Sequence, residues 1–157
     1  MKNYIINNLI NAGILDVTSH TLDSAHAYKV FRFKKAIDKA MKSIVEQDGA
    51  LVAEAGIKDA EAFDARYKEL SNGEPCDELK EMEAKYEKLA ELRKNFWNDD
   101  TFIEPKTMPW DAYHQLAAEN KAVIGLDGKP HDVFTIFAGV LEGILWADPE
   151  EQKTKSK

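Results

Sequence analysis

The chain has 157 residues, 44% hydrophobic and 31% charged, with a formal net charge of −7. That length suits one domain with a core of its own, needing neither disulfides nor metals to fold. The negative balance argues against non-specific nucleic-acid binding by the whole molecule, and a single cysteine, Cys76, excludes an intrachain disulfide or a multi-cysteine metal site.

The N-terminal residues lack the apolar core and cleavage pattern of a secretory signal. The most apolar run, residues 133–147, is too short to span a bilayer and contains Glu142. These features predict a soluble cytoplasmic protein with no membrane segment.

Residues 4–12 carry Ile5, Ile6, Leu9 and Ile10 ahead of Gly13, the pattern of a short helix docked on a core. Residues 14–17 read as extended and residues 18–21 as a polar loop. Residues 24–56 form the stretch on which the other segments pack. Asp23 and Ser24 are good N-cap residues. Val30, Phe33, Ile37, Met41, Ile44, Leu51 or Val52, and Ala55 follow at helical spacing on one stripe. Gly56 is a natural stop. Asp48-Gly49 would favour a turn, but Leu51, Val52 and Ala55 stay in phase, which predicts one helix, kinked at most. The opposite face carries Tyr28, Arg32, Lys35, Lys39 and Lys42, with Phe31 on its flank and Lys29 and Lys34 nearby. A basic face opposite an apolar stripe is by default a solvated one. The two aromatics point to a second contact surface.

Asp59 opens a further helix through Phe63, Tyr67 and Leu70, which Ser71-Asn72-Gly73 and Pro75 terminate. Cys76 or Asp77 caps a second long helix reaching about Asn98. Its apolar positions, Leu79, Met82, Tyr86, Leu89, Leu92 and Phe96, resemble a heptad seam. Two such seams joined through a shorter helix suggest an antiparallel long-helix hairpin or small bundle. In the proline-rich loop that follows, Trp97, Phe102, Ile103 and Trp110 are expected to pin the chain down. A helix from Pro109 to about Asn120 comes next, then a short strand signal in residues 121–126 and a turn at Asp127-Gly128. Asp132 caps a last helix with Val133, Phe134, Ile136, Phe137, Val140, Leu141, Ile144 and Leu145. Apolar residues cover more than half its circumference, which predicts burial on several sides or by a second subunit. Gly139 and Gly143 either admit a close helix or simply weaken this one. The expected organisation is one helical domain over residues 1–147, mainly α with at most one or two short strands near 121–126. A polar, mobile tail is expected over 148–157.

No catalytic constellation emerges. The four histidines include no i, i+4 pair for zinc. His131-Asp132 is superficially like the pair of metal phosphohydrolases, but the further ligands are missing, and Asp132 reads as a cap. Asp99, Asp100 and Glu104 gather carboxylates without a calcium-loop spacing. Cys76 stands at a helix start, where thiol pKa values tend to fall, yet it lies in no nucleophile motif. No cofactor and no metal are expected.

The layout resembles small helical proteins of tailed phages and prophages. The resembling features are Ala27-Tyr28-Lys29-Val30 opening a long helix, residues 50–56 ending it, a second charged helix, an irregular segment and a short hydrophobic close. Those proteins are largely of unknown function, so the resemblance implies a viral or mobile-element origin, in virion or host cytoplasm, and carries over no site residue. The expected function is a non-enzymatic structural or interaction protein, self-associating or part of a larger assembly. The alternative is an adaptor or inhibitor that binds a host protein, with nucleic acid as the second partner class, through Tyr28, Phe31, Arg32, Lys35 and Lys39.

Overall fold

Helix dominates the chain, as its hydrophobic periodicity dictates, and one short antiparallel strand pair accompanies it. The computed structural model describes residues 1–121, 123–126 and 128–148. Ala122 of the expected strand, Asp127 of the expected turn, and residues 149–157 of the expected tail lie outside the described residues. In chain order the elements are α1 (Asn3–Asn11), α2 (Ser24–Glu54), α3 (Ala60–Ser71), α4 (Asp77–Asn98), α5 (Trp110–Glu119), β1 (Val123–Ile124), β2 (Pro130–His131), α6 (Val133–Ile136) and α7 (Ala138–Leu141). They cluster into two compact units. One comprises Met1, Asn3–Met41 and the described residues from Thr101 onward, the other Lys2 and Lys42–Asp100.

α2 begins where its cap predicts. Asp23 Oδ1 accepts from the His26 backbone N–H at 2.8 Å, and that bond is the main reason the Asp23 carboxyl titrates below its ordinary range. The helix then runs through Asp48-Gly49 unbroken. An aspartate in a turn uses its carboxylate on nearby backbone N–H groups. Here Arg93 engages that carboxylate instead, with Nε donating to Oδ1 at 2.9 Å and Nη2 to Oδ2 at 2.6 Å.

In the second unit this pair fixes an antiparallel register between the end of α2 and α4. Moving forward along α2 from Asp48, Lys88 Nζ donates to the Glu54 carbonyl at 2.7 Å. Ala55, Ile57 and Leu89 are buried together, with Leu51, Val52, Phe63 and Leu92 packed around them. α3 closes the unit. Asp59 caps it by accepting from Ala62 N–H at 3.0 Å, and Arg66 reaches Glu78 through Nε and Nη2 at 2.8 and 2.7 Å. Tyr86 takes Phe63 and Tyr67 edge-on at centroid distances of 5.0 and 4.8 Å. α4 starts at a cysteine cap, Cys76 Sγ accepting from Leu79 N–H at 3.4 Å, and it carries the expected Glu81–Lys85 pair at 2.8 Å.

In the first unit Ile6, Leu9, Ile14, Phe33, Ile37, Tyr113, Leu116, Phe134, Leu141 and Leu145 are essentially inaccessible. Two buried asparagines, which would be costly unpaired, are satisfied. Asn120 Nδ2 donates to the carbonyls of Thr18 and Leu116, both at 2.8 Å, and its Oδ1 accepts from Thr18 N–H at 2.9 Å. Asn3 Oδ1 accepts from the Thr101 hydroxyl at 2.6 Å. β1 pairs with β2 so that Val123 faces His131. This partner strand lies outside the span in which the sequence shows strand character.

Three expectations need correction. Of residues 14–17 only Val17 is extended: Ile14–Asp16 form a 3-10 turn that follows Gly13. Gly13 has φ 80°, and an added Cβ would stand 2.7 Å from the Ile124 carbonyl oxygen, so the chain turns against β1 where only glycine fits. The last helix does not form as one element. Asp132 does cap it, accepting from Thr135 N–H at 3.4 Å, but α6 and α7 are single turns, and the chain leaves helix after Leu141, ahead of Gly143 at φ 75°. The backbone beyond α7 pairs elsewhere: Lys106 N–H donates to the Ile144 carbonyl at 2.7 Å, Met108 N–H to that of Leu145 at 2.9 Å, and Ala147 N–H to that of Met108 at 3.0 Å. A Cβ at Gly139 or Gly143 would meet nothing within 4 Å, so these glycines weaken the helix and seat no other. Finally, Phe102 does not pin its loop. It is 83% exposed, while the next residue, Ile103, is buried.

Candidate functional site

The face singled out by the sequence lies on the first half of α2. Tyr28 and Phe31 are one turn apart on the outside of the helix, 57% and 51% exposed, with their rings stacked at a centroid distance of 6.3 Å. Lys35 Nζ sits 5.1 Å from the Phe31 ring centroid, a cation–π arrangement that orders the lysine and extends the aromatic patch with charge. Arg32 and Lys39 are exposed on the same side. The spacing from Tyr28 to Lys39 covers about three helical turns, or roughly 16 Å.

Elsewhere α2 turns inward. Val30, Phe33 and Ile37 are buried. Lys29 and Lys34, which flank the stripe, take no part in the outer face. Lys29 Nζ donates to the Thr107 carbonyl at 2.7 Å, and Lys34 Nζ donates to the Val17 carbonyl. Burial pushes the Lys34 ammonium below its ordinary range, with Asp16 pulling the other way. The stripe that remains, Tyr28, Phe31, Arg32, Lys35 and Lys39, is the set read from the sequence. Glu104 adds acidity near its edge. Lys106, at 2.7 Å, is the main reason the Glu104 carboxyl lies below its ordinary range, and Arg32 adds a smaller pull.

The other candidate groups resolve differently. Asp100 pairs with Lys2 at 2.7 Å and Glu104 with Lys106, so two carboxylates of that loop are each held by a lysine. Among the described residues, no three His, Cys, Asp or Glu side chains gather into a group able to hold a metal ion. No helix of the described residues is long and apolar enough to cross a membrane.

One feature gives no signal in the sequence. Trp110 and Trp146 lie 36 positions apart, and their rings meet edge to face at a centroid distance of 4.8 Å beside a cleft of about 440 Å³. Trp110 reads in the sequence as a loop anchor and as the first apolar residue of a helix, and no periodicity links it to Trp146. No protein-family model, no curated protein and no solved structure matches this chain.

Proposed function

We propose that this is a non-enzymatic interaction protein whose α2 face, Tyr28, Phe31, Arg32, Lys35 and Lys39, docks an acidic surface of another protein. The supporting observation is the exposed, mutually stacked Tyr28–Phe31 pair with Lys35 held over it. Covering the exposed half of two aromatic rings removes about 100 Å² of surface each, worth roughly 5 kcal/mol together at about 25 cal/mol per Å². Association itself costs about 4–15 kcal/mol, so the aromatics need the three cations beside them. Tyrosine and arginine are residue types that concentrate binding energy at interfaces. Protein is favoured over nucleic acid because the whole chain carries −7, which opposes a polyanion beyond the local stripe. Self-association is the second reading, carried by the two long amphipathic helices and by Ile136, which stays 68% exposed on the last segment. The α2 face is preferred to that segment because the chain itself already buries Val133, Phe134, Leu141 and Leu145. The layout resemblance extends the reading to an accessory protein of a tailed phage or prophage.

The test is affinity capture from the source cell with wild type and with Arg32→Glu/Lys35→Glu, bound proteins being identified by mass spectrometry. Loss of a specific partner with unchanged far-UV circular dichroism is the expected result. Retention of the same partners by the charge-reversed protein would leave this face as plain solvated surface.

A further inference from the structure

We propose that the cleft beside Trp110 and Trp146 receives an arginine side chain of a partner polypeptide. It is lined by Pro109, Trp110, Asp111, Ala138, Trp146 and Asp148. The two indoles form an angle, their planes inclined at 65°. Trp146 is held from below, its Nε1–H donating to the Ala138 carbonyl at 2.7 Å, and its ring lies 5.9 Å from that of the fully buried Tyr113. Trp110 is 41% exposed. The aromatic walls are thus set before any ligand arrives, which reduces the ordering cost of binding.

The charge of the cleft selects the occupant. Asp111 brings a carboxylate to the lining, and the indole faces attract cations. A guanidinium uses both features at once. It stacks flat on an indole and donates its N–H fork to a carboxylate. A lysine ammonium is a compact charge without the planar stacking surface, and a quaternary ammonium has no N–H to give Asp111. A cleft of about 440 Å³ also has room for an arginine side chain with a little of its backbone.

The test is an NMR titration of the full-length, ¹⁵N-labelled protein, following the indole N–H signals. The probe is a blocked Gly-Arg-Gly peptide, compared with blocked Gly-Lys-Gly and with tetramethylammonium chloride. Trp97, which meets Phe96 edge to face, is the internal reference. The arginine peptide should shift Trp110 and Trp146 saturably and leave Trp97 in place. Affinity should fall about tenfold or more for the lysine peptide, for tetramethylammonium, and for the arginine peptide on Trp110→Ala or Asp111→Asn. Asp111→Asn keeps the shape of the side chain, so it remains decisive if the alanine variant fails to fold. No saturable shift, equal affinity for the lysine or quaternary probe, or undiminished affinity in Asp111→Asn would overturn the assignment.

Discussion

Replacing Gly49 with alanine should stabilise the protein. Gly49 lies inside α2, and a Cβ added there would meet no heavy atom within 4 Å. The new methyl therefore brings no clash, and the gain comes from the unfolded chain, which loses more freedom as glycine than as alanine. In a helix interior that difference is about 1 kcal/mol. For a chain of this size it raises Tm by about 2–4 °C. Urea and thermal denaturation followed by far-UV circular dichroism measure it directly. Gly13→Ala is the matched opposite. Its backbone is at φ 80°, and the new Cβ would stand 2.7 Å from the Ile124 carbonyl oxygen and 2.9 Å from Val123 Cγ1. A loss of about 1–3 kcal/mol follows from backbone strain and overpacking. If Gly49→Ala left Tm unchanged or lowered it, the Asp48-Gly49 step would not be helical in solution, and the account of α2 as one helix would fail.

Three further outcomes follow from the geometry. The bidentate Asp48–Arg93 pair has side chains 20% and 41% exposed, so a double-mutant cycle with alanine at both positions should show a coupling of about 0.5–1 kcal/mol that shrinks in high salt. A coupling of zero would mean the register between α2 and α4 rests on apolar packing alone. Glu119 accepts from the Thr21 hydroxyl and from the backbone N–H groups of His20 and Thr21, at 2.8 and 3.0 Å for the two backbone bonds. The Thr21 hydroxyl is the largest of the causes that hold its carboxyl below its ordinary value of 4.5. Because the folded pKa is the lower one, this contribution to stability is fully present above the unfolded pKa and is lost as pH falls through the folded value. Glu119→Gln should therefore flatten the acid limb of the stability profile, and an identical limb in the variant would contradict the assignment. Tyr86, whose hydroxyl donates to the Asp64 carboxylate, should ionise late, near 12. Asp64→Asn should bring the ultraviolet phenolate transition back toward the ordinary value near 10, and no movement would exclude Asp64 as the cause.

Local chemistry determined much of this fold. Asp23, Asp59, Cys76 and Asp132 each accept from the backbone N–H three residues on, and a cap needs only its own turn to act. Helix starts, the stops near Asn72 and Asn98, and the mainly α class were therefore legible from neighbouring residues. The candidate face was legible too, because helical periodicity alone places Tyr28, Phe31, Arg32, Lys35 and Lys39 on one side.

The rest depended on residues far apart in the chain. Lys29 and Lys34 look equivalent to their basic neighbours in sequence. Each is turned about 100° or more around the helix from Tyr28, toward the carbonyls of Thr107 and Val17, and only the tertiary structure puts those carbonyls there. Residues 133–147 are apolar enough for one buried helix, but the segment beyond α7 hydrogen-bonds to residues 106–108, and glycines at 139 and 143 made helix the weaker alternative. The Trp110–Trp146 cleft has the same origin. Each tryptophan is ordinary in its own segment, and only the path of the chain between them brings the two rings together. Sequence thus decided what a single turn of backbone can satisfy, and tertiary structure decided where long-range hydrogen bonds and ring contacts outweighed local preference.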